Sequence, residues 1–263
     1  MIRALVLLLA LLPGLSRAEA PPSDIVTVEV LPGWQIGDGR HMAALRLTLA
    51  PGWKTYWRAP GDAGIPPLFD WSESRNLGGV RLHWPVPEVW GTNGMRSIGY
   101  HDGVILPVEI TRNGPGPIRL SGEMDLGVCE DICVPARVRF DAELPADGRR
   151  DPRIVAALVD RPLTADEAGV GSVSCRIAPA ALGLSVTATL SLPPVGGSED
   201  MVIETGDPTT WVSEPELSRQ GDRLVATARI VPATDGIAID RSALRLTILS
   251  AGRAVDIRGC PAG

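Results

Sequence analysis

Long apolar runs are nearly absent from this chain. The one exception lies in residues 1 to 20, MIRALVLLLALLPGLSRAEA, where an apolar stretch from Ala4 to Leu12 follows Arg3 and leads to the small-x-small pattern Ala18-Glu19-Ala20. That is the pattern of a secretory signal peptide, cleaved near Ala20. It falls well short of the roughly 20 apolar residues that span a bilayer, and nothing later in the chain approaches that length. The expectation is an exported protein, which in a Gram-negative cell means the periplasm, where disulfides persist.

Other shortages exclude whole classes of function. No P-loop, G-x-G-x-x-G or G-x-S-x-G signature occurs, so no motif points to nucleotide binding or to a serine hydrolase. Basic residues number 25 against 31 acidic ones, and loss of Arg3, Arg17 and Glu19 with the signal peptide leaves 23 against 30. A surface with that balance attracts neither nucleic acid nor anionic lipid. Lysine occurs once, as Lys54, and the three histidines (His41, His83, His101) stand alone, with no His-rich or Met-rich tract.

About 243 residues remain after the signal, enough for one large or two small domains that each bury a core. Stability therefore does not demand the four cysteines, Cys129, Cys133, Cys175 and Cys260. Some of them are free for another task.

What is present reads as all-β. Segments 24–31, 42–50, 104–111, 118–126 and 136–144 alternate apolar and polar residues between Gly, Pro, Asn and Asp clusters, as short antiparallel strands do. The best helical segment is DPRIVAALVDRP (151–162), with Pro152 near its start and Ile154, Ala157 and Leu158 on one face. A second strand series follows at 172–179, 184–192, 200–206, 223–231 and 243–251. The reading is two tandem immunoglobulin-like β-sandwich domains, 21–145 and 171–263, joined by a linker with a short helix over 146–170; a single extended β-domain is the competitor.

Aromatic residues are unevenly shared. Six of seven tryptophans, both tyrosines and both phenylalanines precede residue 145. Core packing explains most of them, but PGWKTYWRAPGDAGIPPLFDW (51–71) is too rich in Gly and Pro for one long strand. It reads as a long aromatic-rich loop that needs covering, by the cysteine pair or by another protein.

Three blocks in order, GWKTYWRAPGDAGIPPLFDW, LHWPVPEVWGTNGMRSIGYHDGVILPVEI and GEMDLGVCEDICVPARVRF, resemble the N-terminal periplasmic domain of the thiol:disulfide interchange protein DsbD, in particular its ScsB-like (suppressor of copper sensitivity) branch. The resemblance covers roughly residues 25 to 145 and is loose from 171 onward. It implies an immunoglobulin-like sandwich whose cysteine pair, here Cys129 and Cys133, relays electrons from a membrane-embedded thiol reductase to a periplasmic thioredoxin-like or disulfide-containing protein. It also implies a loop capping the cysteines, here the 57–71 stretch with Phe69 and Trp71 as the candidates. Two features depart from the pattern: better-known members space the two cysteines further apart and continue into a membrane domain and a thioredoxin-like domain. The chain ends at Gly263 with neither, and the expectation is that separate proteins complete the relay.

The cysteines permit three pairings. An extended strand would hold positions 129 and 133 roughly 13 Å apart, so a disulfide there requires a turn at Glu130, Asp131 and Ile132. Closing so short a loop gains only about 2 kcal/mol in the chain-entropy model, against roughly 4 to 5 for joining Cys175 to Cys260. The longer link is assigned as a structural disulfide between the first and last strands of the second domain, and Cys129 and Cys133 as the catalytic pair of a thiol-disulfide oxidoreductase. In that chemistry a thiolate attacks a disulfide, a mixed disulfide forms and a second thiol resolves it. Glu130 and Asp131 beside the sulfurs disfavour a thiolate unless the fold supplies a compensating group.

Three alternatives stay open at this stage. Cys129 and Cys133 form an inert clip; or they hold Cu(I) with Met124, Met95 and His101, soft ligands suited to that ion; or the protein is a non-redox interaction module. The preferred reading needs no cofactor.

Overall fold

The computed structural model describes residues 25–263 except positions 38, 63, 93 and 232–238. The expected signal peptide, residues 1–20, lies outside the described residues. The first half contributes β1 (Val26–Gly37), β2 (Arg40–Leu49), β3 (Lys54–Gly61), β4 (Leu68–Asp70) and β5 (Leu77–Leu82). It continues with β6 (Glu88–Thr92), β7 (Met95–His101), β8 (Gly103–Arg112), β9 (Ile118–Cys129) and β10 (Cys133–Leu144). These form two antiparallel sheets, ordered β1-β2-β8-β5 and β10-β9-β3-β7-β6, with β4 paired to β9.

The period-2 pattern of β2 explains how the first sheet is covered on both sides. Ala43, Leu45 and Leu47 meet Leu120, Met124, Leu126 and Val128 of β9 in the core between the sheets. Met42 and Ala44 point the other way, where they bury Ile154 together with Leu31 and Trp34. Ile154 belongs to α1 (Pro152–Val159), which starts at an Asp151 cap accepting the Arg153 N–H at 2.8 Å and carries Pro at its first turn. The helix expected over 151–162 thus lies against the first sandwich.

The second half contributes β11 (Leu163–Thr164), β12 (Ser172–Pro179), β13 (Leu184–Ser191), β14 (Asp200–Glu204) and β15 (Trp211–Val212). After them come β16 (Glu216–Gln220), β17 (Arg223–Val231), β18 (Arg245–Ser250) and β19 (Arg253–Arg258). Their sheets are ordered β11-β19-β18-β14 and β12-β13-β17-β15, with β16 paired to β17. Among the described residues, ladders form within 26–144 or within 163–258 and none crosses between them. The segment 146–170, expected as a linker, divides: α1 packs on the first sandwich, and β11 pairs in parallel with β19 of the second. Cys175 of β12 and Cys260, two residues past β19, are joined inside the second core with Cα atoms 5.5 Å apart.

The stretch expected as a long loop, 51–71, instead holds β3 and β4. Its Gly and Pro residues act locally. Tyr56 pairs with Gly99 but Gly61 pairs with Ser97, so four residues of β3 face one of β7. This bulge pushes Trp57 out of the ladder into a third apolar cluster with Val202, Leu249 and Ala254 of the second sandwich. Beside it Arg58 donates twice to Glu204, at 3.0 and 2.9 Å, and once to Thr247 Oγ1 at 3.2 Å, while Arg96 is paired with Asp200. The two sandwiches are therefore joined by an apolar contact flanked by two partly buried ion pairs.

Candidate thiol-disulfide site

Cys129 ends β9 and Cys133 begins β10. They are direct partners across the antiparallel ladder, linked by Glu130, Asp131 and Ile132, with Cα atoms 4.1 Å apart and a disulfide between them. The turn that the spacing requires is therefore the tip of a hairpin whose register holds over twelve pairs, from Cys133 opposite Cys129 to Leu144 opposite Ile118. A long, continuous register leaves the two Cβ atoms no freedom to separate.

The two sulfurs are not equivalent. Cys129 is 5% exposed, whereas Cys133 and the three loop residues are exposed, Ile132 at 74%. Beneath them lies Tyr56, a residue that the sequence reading did not single out. Its hydroxyl is 2.8 Å from Cys129 Sγ and 3.3 Å from Cys133 Sγ. Disulfide sulfurs carry no hydrogen, so in this oxidised state the hydroxyl donates. Burial pushes the Tyr56 pKa up, keeping the hydroxyl protonated and able to donate at neutral pH. Once the disulfide is opened, the same donor is placed to stabilise a thiolate on either sulfur.

The sequence builds this slot from glycines. A Cβ on Gly127 would stand 3.1 Å from the Tyr56 ring and 2.8 Å from Ile65 Cβ; one on Gly64 would stand 2.7 Å from the ring's other edge. The ring lies between two positions that tolerate only hydrogen, and Trp90 stacks near it at a centroid distance of 6.4 Å. Lys54, the lone lysine, is the ladder partner of Cys129. Residues directly opposite in such a pair have Cβ atoms about 4.5–5.5 Å apart, so the Lys54 side chain leaves the sheet beside Cys129.

Strand parity corrects the expected cap. Met124, Leu126 and Val128 face the core, so Asp125, Gly127 and Cys129 face outward. Phe69 pairs with Met124, stacks on Trp71 at 5.4 Å, and both pack against the inner core, where Trp71 also meets Phe140. Phe69 and Trp71 thus lie on the opposite face of the sheet from the sulfurs. The residues of that stretch that do cover the site are Tyr56, Gly64 and Ile65.

The alternative copper ligands are dispersed. Met124 is 1% exposed in the inner core, on the face away from the disulfide. Met95 sits at the far end of β7, six residues and roughly 20 Å along the strand from His101. His101 is two strands from Cys129, with Lys54 between them, and its Nδ1 is 3.0 Å from Glu88. No group of three His, Cys, Asp or Glu residues suited to a metal ion is found among the described residues. The structure brings together only the two cysteines of the five.

The fold and site define a class: tandem immunoglobulin-like sandwiches in which a hairpin tip carries a half-exposed disulfide held against a tyrosine hydroxyl. Residues 27–145 match the family described as thiol:disulfide interchange protein DsbD, N-terminal. The match covers the first sandwich, which is similar to the N-terminal domain of that family. The crystal structure of the N-terminal periplasmic domain of ScsB from Proteus mirabilis superposes with a TM-score of 0.71 at 22% identity, covering 93% of this chain and 97% of that one. The likeness in fold therefore extends through both sandwiches. No curated protein matches the chain significantly.

Proposed function

We propose that this protein is an exported thiol-disulfide exchange module, accepting electrons from a membrane-embedded thiol reductase and passing them to periplasmic disulfide proteins. The match of the first sandwich to a thiol:disulfide interchange family, together with its disulfide, supports the exchange chemistry. The observation that carries the reading is the asymmetry of Cys129 and Cys133 around the Tyr56 hydroxyl.

The exchange follows from that asymmetry. A donor thiolate reaches the exposed Cys133 Sγ, the Cys129–Cys133 bond breaks, and Cys129 leaves as a thiolate stabilised by the Tyr56 O–H and the Lys54 charge. A second donor thiol attacks the mixed disulfide, releasing Cys133 and leaving the donor oxidised. Two electrons and two protons have then moved onto the pair. Running the sequence in reverse, with Cys133 attacking an acceptor disulfide and Cys129 resolving it, returns both electrons. Signal-peptide export to the periplasm is part of this proposal, since the pair must alternate between states in an oxidising compartment.

The test is to equilibrate the purified protein, without residues 1–20, in glutathione or dithiothreitol buffers and to map trapped thiols by mass spectrometry. Reversible exchange at Cys129 and Cys133, with Cys175 and Cys260 remaining oxidised, is the expected result. A Cys129–Cys133 bond that resists every buffer in the folded protein would end the relay reading. A Cys129→Ser variant, which keeps Cys133, is expected to trap mixed disulfides through Cys133.

A further inference from the structure

Between the two sandwiches runs an open groove of about 560 Å³. One wall runs from the end of β3 to the start of β4, through Pro60, Pro66 and Leu68; the opposite wall is Pro208 and Trp211 of the second sandwich. At its base Arg58 and Arg96 are already neutralised by Glu204 and Asp200. Trp211, the single tryptophan of the second half, is 52% exposed and Leu68 is 65% exposed. Exposed carboxylates, Asp62 and Asp207, line the same groove. An apolar strip of this kind rimmed by one sign of charge is the composition of a protein-binding surface.

We propose that this groove is the docking surface for the protein that exchanges disulfides at Cys133, and that this partner presents an apolar side chain flanked by arginine or lysine. The inference rests on the redox reading of Cys129 and Cys133. Three observations carry it. First, the wall is shared: the segment that lines the groove through Pro60, Pro66 and Leu68 covers the site with Gly64 and Ile65, against Tyr56 and Gly127. Second, the reach is right. Leu68 pairs with Asp125, on the outward face of β9 and four residues from Cys129, roughly 13 Å away. A standard interface covers about 800 Å² per partner, a disc of roughly 16 Å radius, so a protein seated over Cys133 extends onto the groove. Third, charge selects the occupant. The turn beside Cys133 carries Glu130 and Asp131, both exposed, and the groove adds Asp62 and Asp207. A basic side chain gains from these carboxylates and from the Trp211 face, whereas a second copy of this chain, net charge −6, brings like charge.

The test separates docking from chemistry by using two reductants. Dithiothreitol needs no docking surface. The second probe is a synthetic twelve-residue peptide with one cysteine followed by Leu and Arg residues, long enough to run roughly 40 Å when extended, and compared with the same peptide carrying Glu for Arg. Opening of Cys129–Cys133 is followed by thiol trapping in the wild type, Trp211→Ala and Asp62→Lys, both changed at exposed positions. The expected result is that the basic peptide reacts about tenfold faster than the acidic one at low salt. Each substitution lowers the basic-peptide rate five- to tenfold and leaves the dithiothreitol rate unchanged. If the basic peptide reacts equally fast with all three proteins, the groove is not the docking surface, although the redox site stands. If dithiothreitol itself fails to open the bond, the redox reading falls and this inference falls with it. A dimer in sedimentation that Trp211→Ala dissolves would assign the groove to a second copy and overturn the proposal.

Discussion

Cys129–Cys133 joins two neighbours across a hairpin tip, whereas Cys175–Cys260 joins positions 85 residues apart inside an apolar core. In the first, one sulfur faces solvent and both touch a hydroxyl; in the second, both residues are 1% exposed. The same covalent bond therefore has opposite surroundings in the two sandwiches. The long link removes much unfolded-chain entropy and hides its sulfurs from any thiolate, so it suits a permanent clip. The short link removes little entropy and presents a sulfur for attack, so opening it costs the fold little. On the proposed redox reading, stability and reactivity are divided between two domains rather than made to compete at one site.

The sharpest way to break this comparison is to delete each bond in turn. Replacing Cys175 and Cys260 together by Ala is expected to cost about 4 to 5 kcal/mol in urea unfolding, and replacing Cys129 and Cys133 only about 2. Equal losses would mean that the hairpin bond is structural. Next in size is selectivity towards reductant. In the folded protein, Cys129–Cys133 is expected to open at least about 100-fold faster than Cys175–Cys260, read by timed alkylation and peptide mapping.

Two smaller effects probe the surroundings of the reactive bond. Gly127→Ala forces a methyl group against Ile65 and the Tyr56 ring. Overpacking of this kind is expected to destabilise the first sandwich by about 1 to 3 kcal/mol and to disturb the Tyr56 fluorescence, without changing the second disulfide. Tyr56→Phe keeps the ring and removes the donor. A charge-assisted hydrogen bond contributes about 1.5–3 kcal/mol, so the exchange rate at neutral pH is expected to fall roughly tenfold or more, while unfolding free energy changes by about 1 kcal/mol at most. The sign in pH follows from the donor's role. Losing a hydrogen bond to the thiolate raises the thiol's affinity for its proton, so the rate–pH curve of Tyr56→Phe moves to higher pH. An unshifted curve would show that the hydroxyl packs beside the sulfurs without acting on them.

The positions of most long strands were legible in the sequence because their period-2 patterns are local. The segments 172–179 and 223–231 coincide with β12 and β17, and 104–111 lies within β8. The strands that build the site were harder to read. β3 carries a bulge and β4 is three residues long, so the aromatic-rich stretch looked like a loop. β6 carries Trp90 and Gly91 straight after Pro85 and Pro87, and β7 carries Gly99, so neither segment shows a clean alternating pattern. Phe69 and Trp71 were placed over the cysteines by the resemblance, which implies a capping loop, and register shows them to belong to the inner face.

From the sequence alone come the chemistry and its setting: four cysteines with one pair separated by three residues, an acidic balance, an export signal as the expectation, and two runs of alternating strands. Those features are written in composition and short-range spacing. Tertiary structure alone decided that Tyr56, 73 residues from Cys129, supplies the hydroxyl, that Lys54 stands opposite the buried sulfur, and that Arg58 ties the same strand to the second sandwich. The physical reason is that antiparallel pairing sets contacts by register between distant segments. One residue of slip would turn every side chain of a strand to the other face.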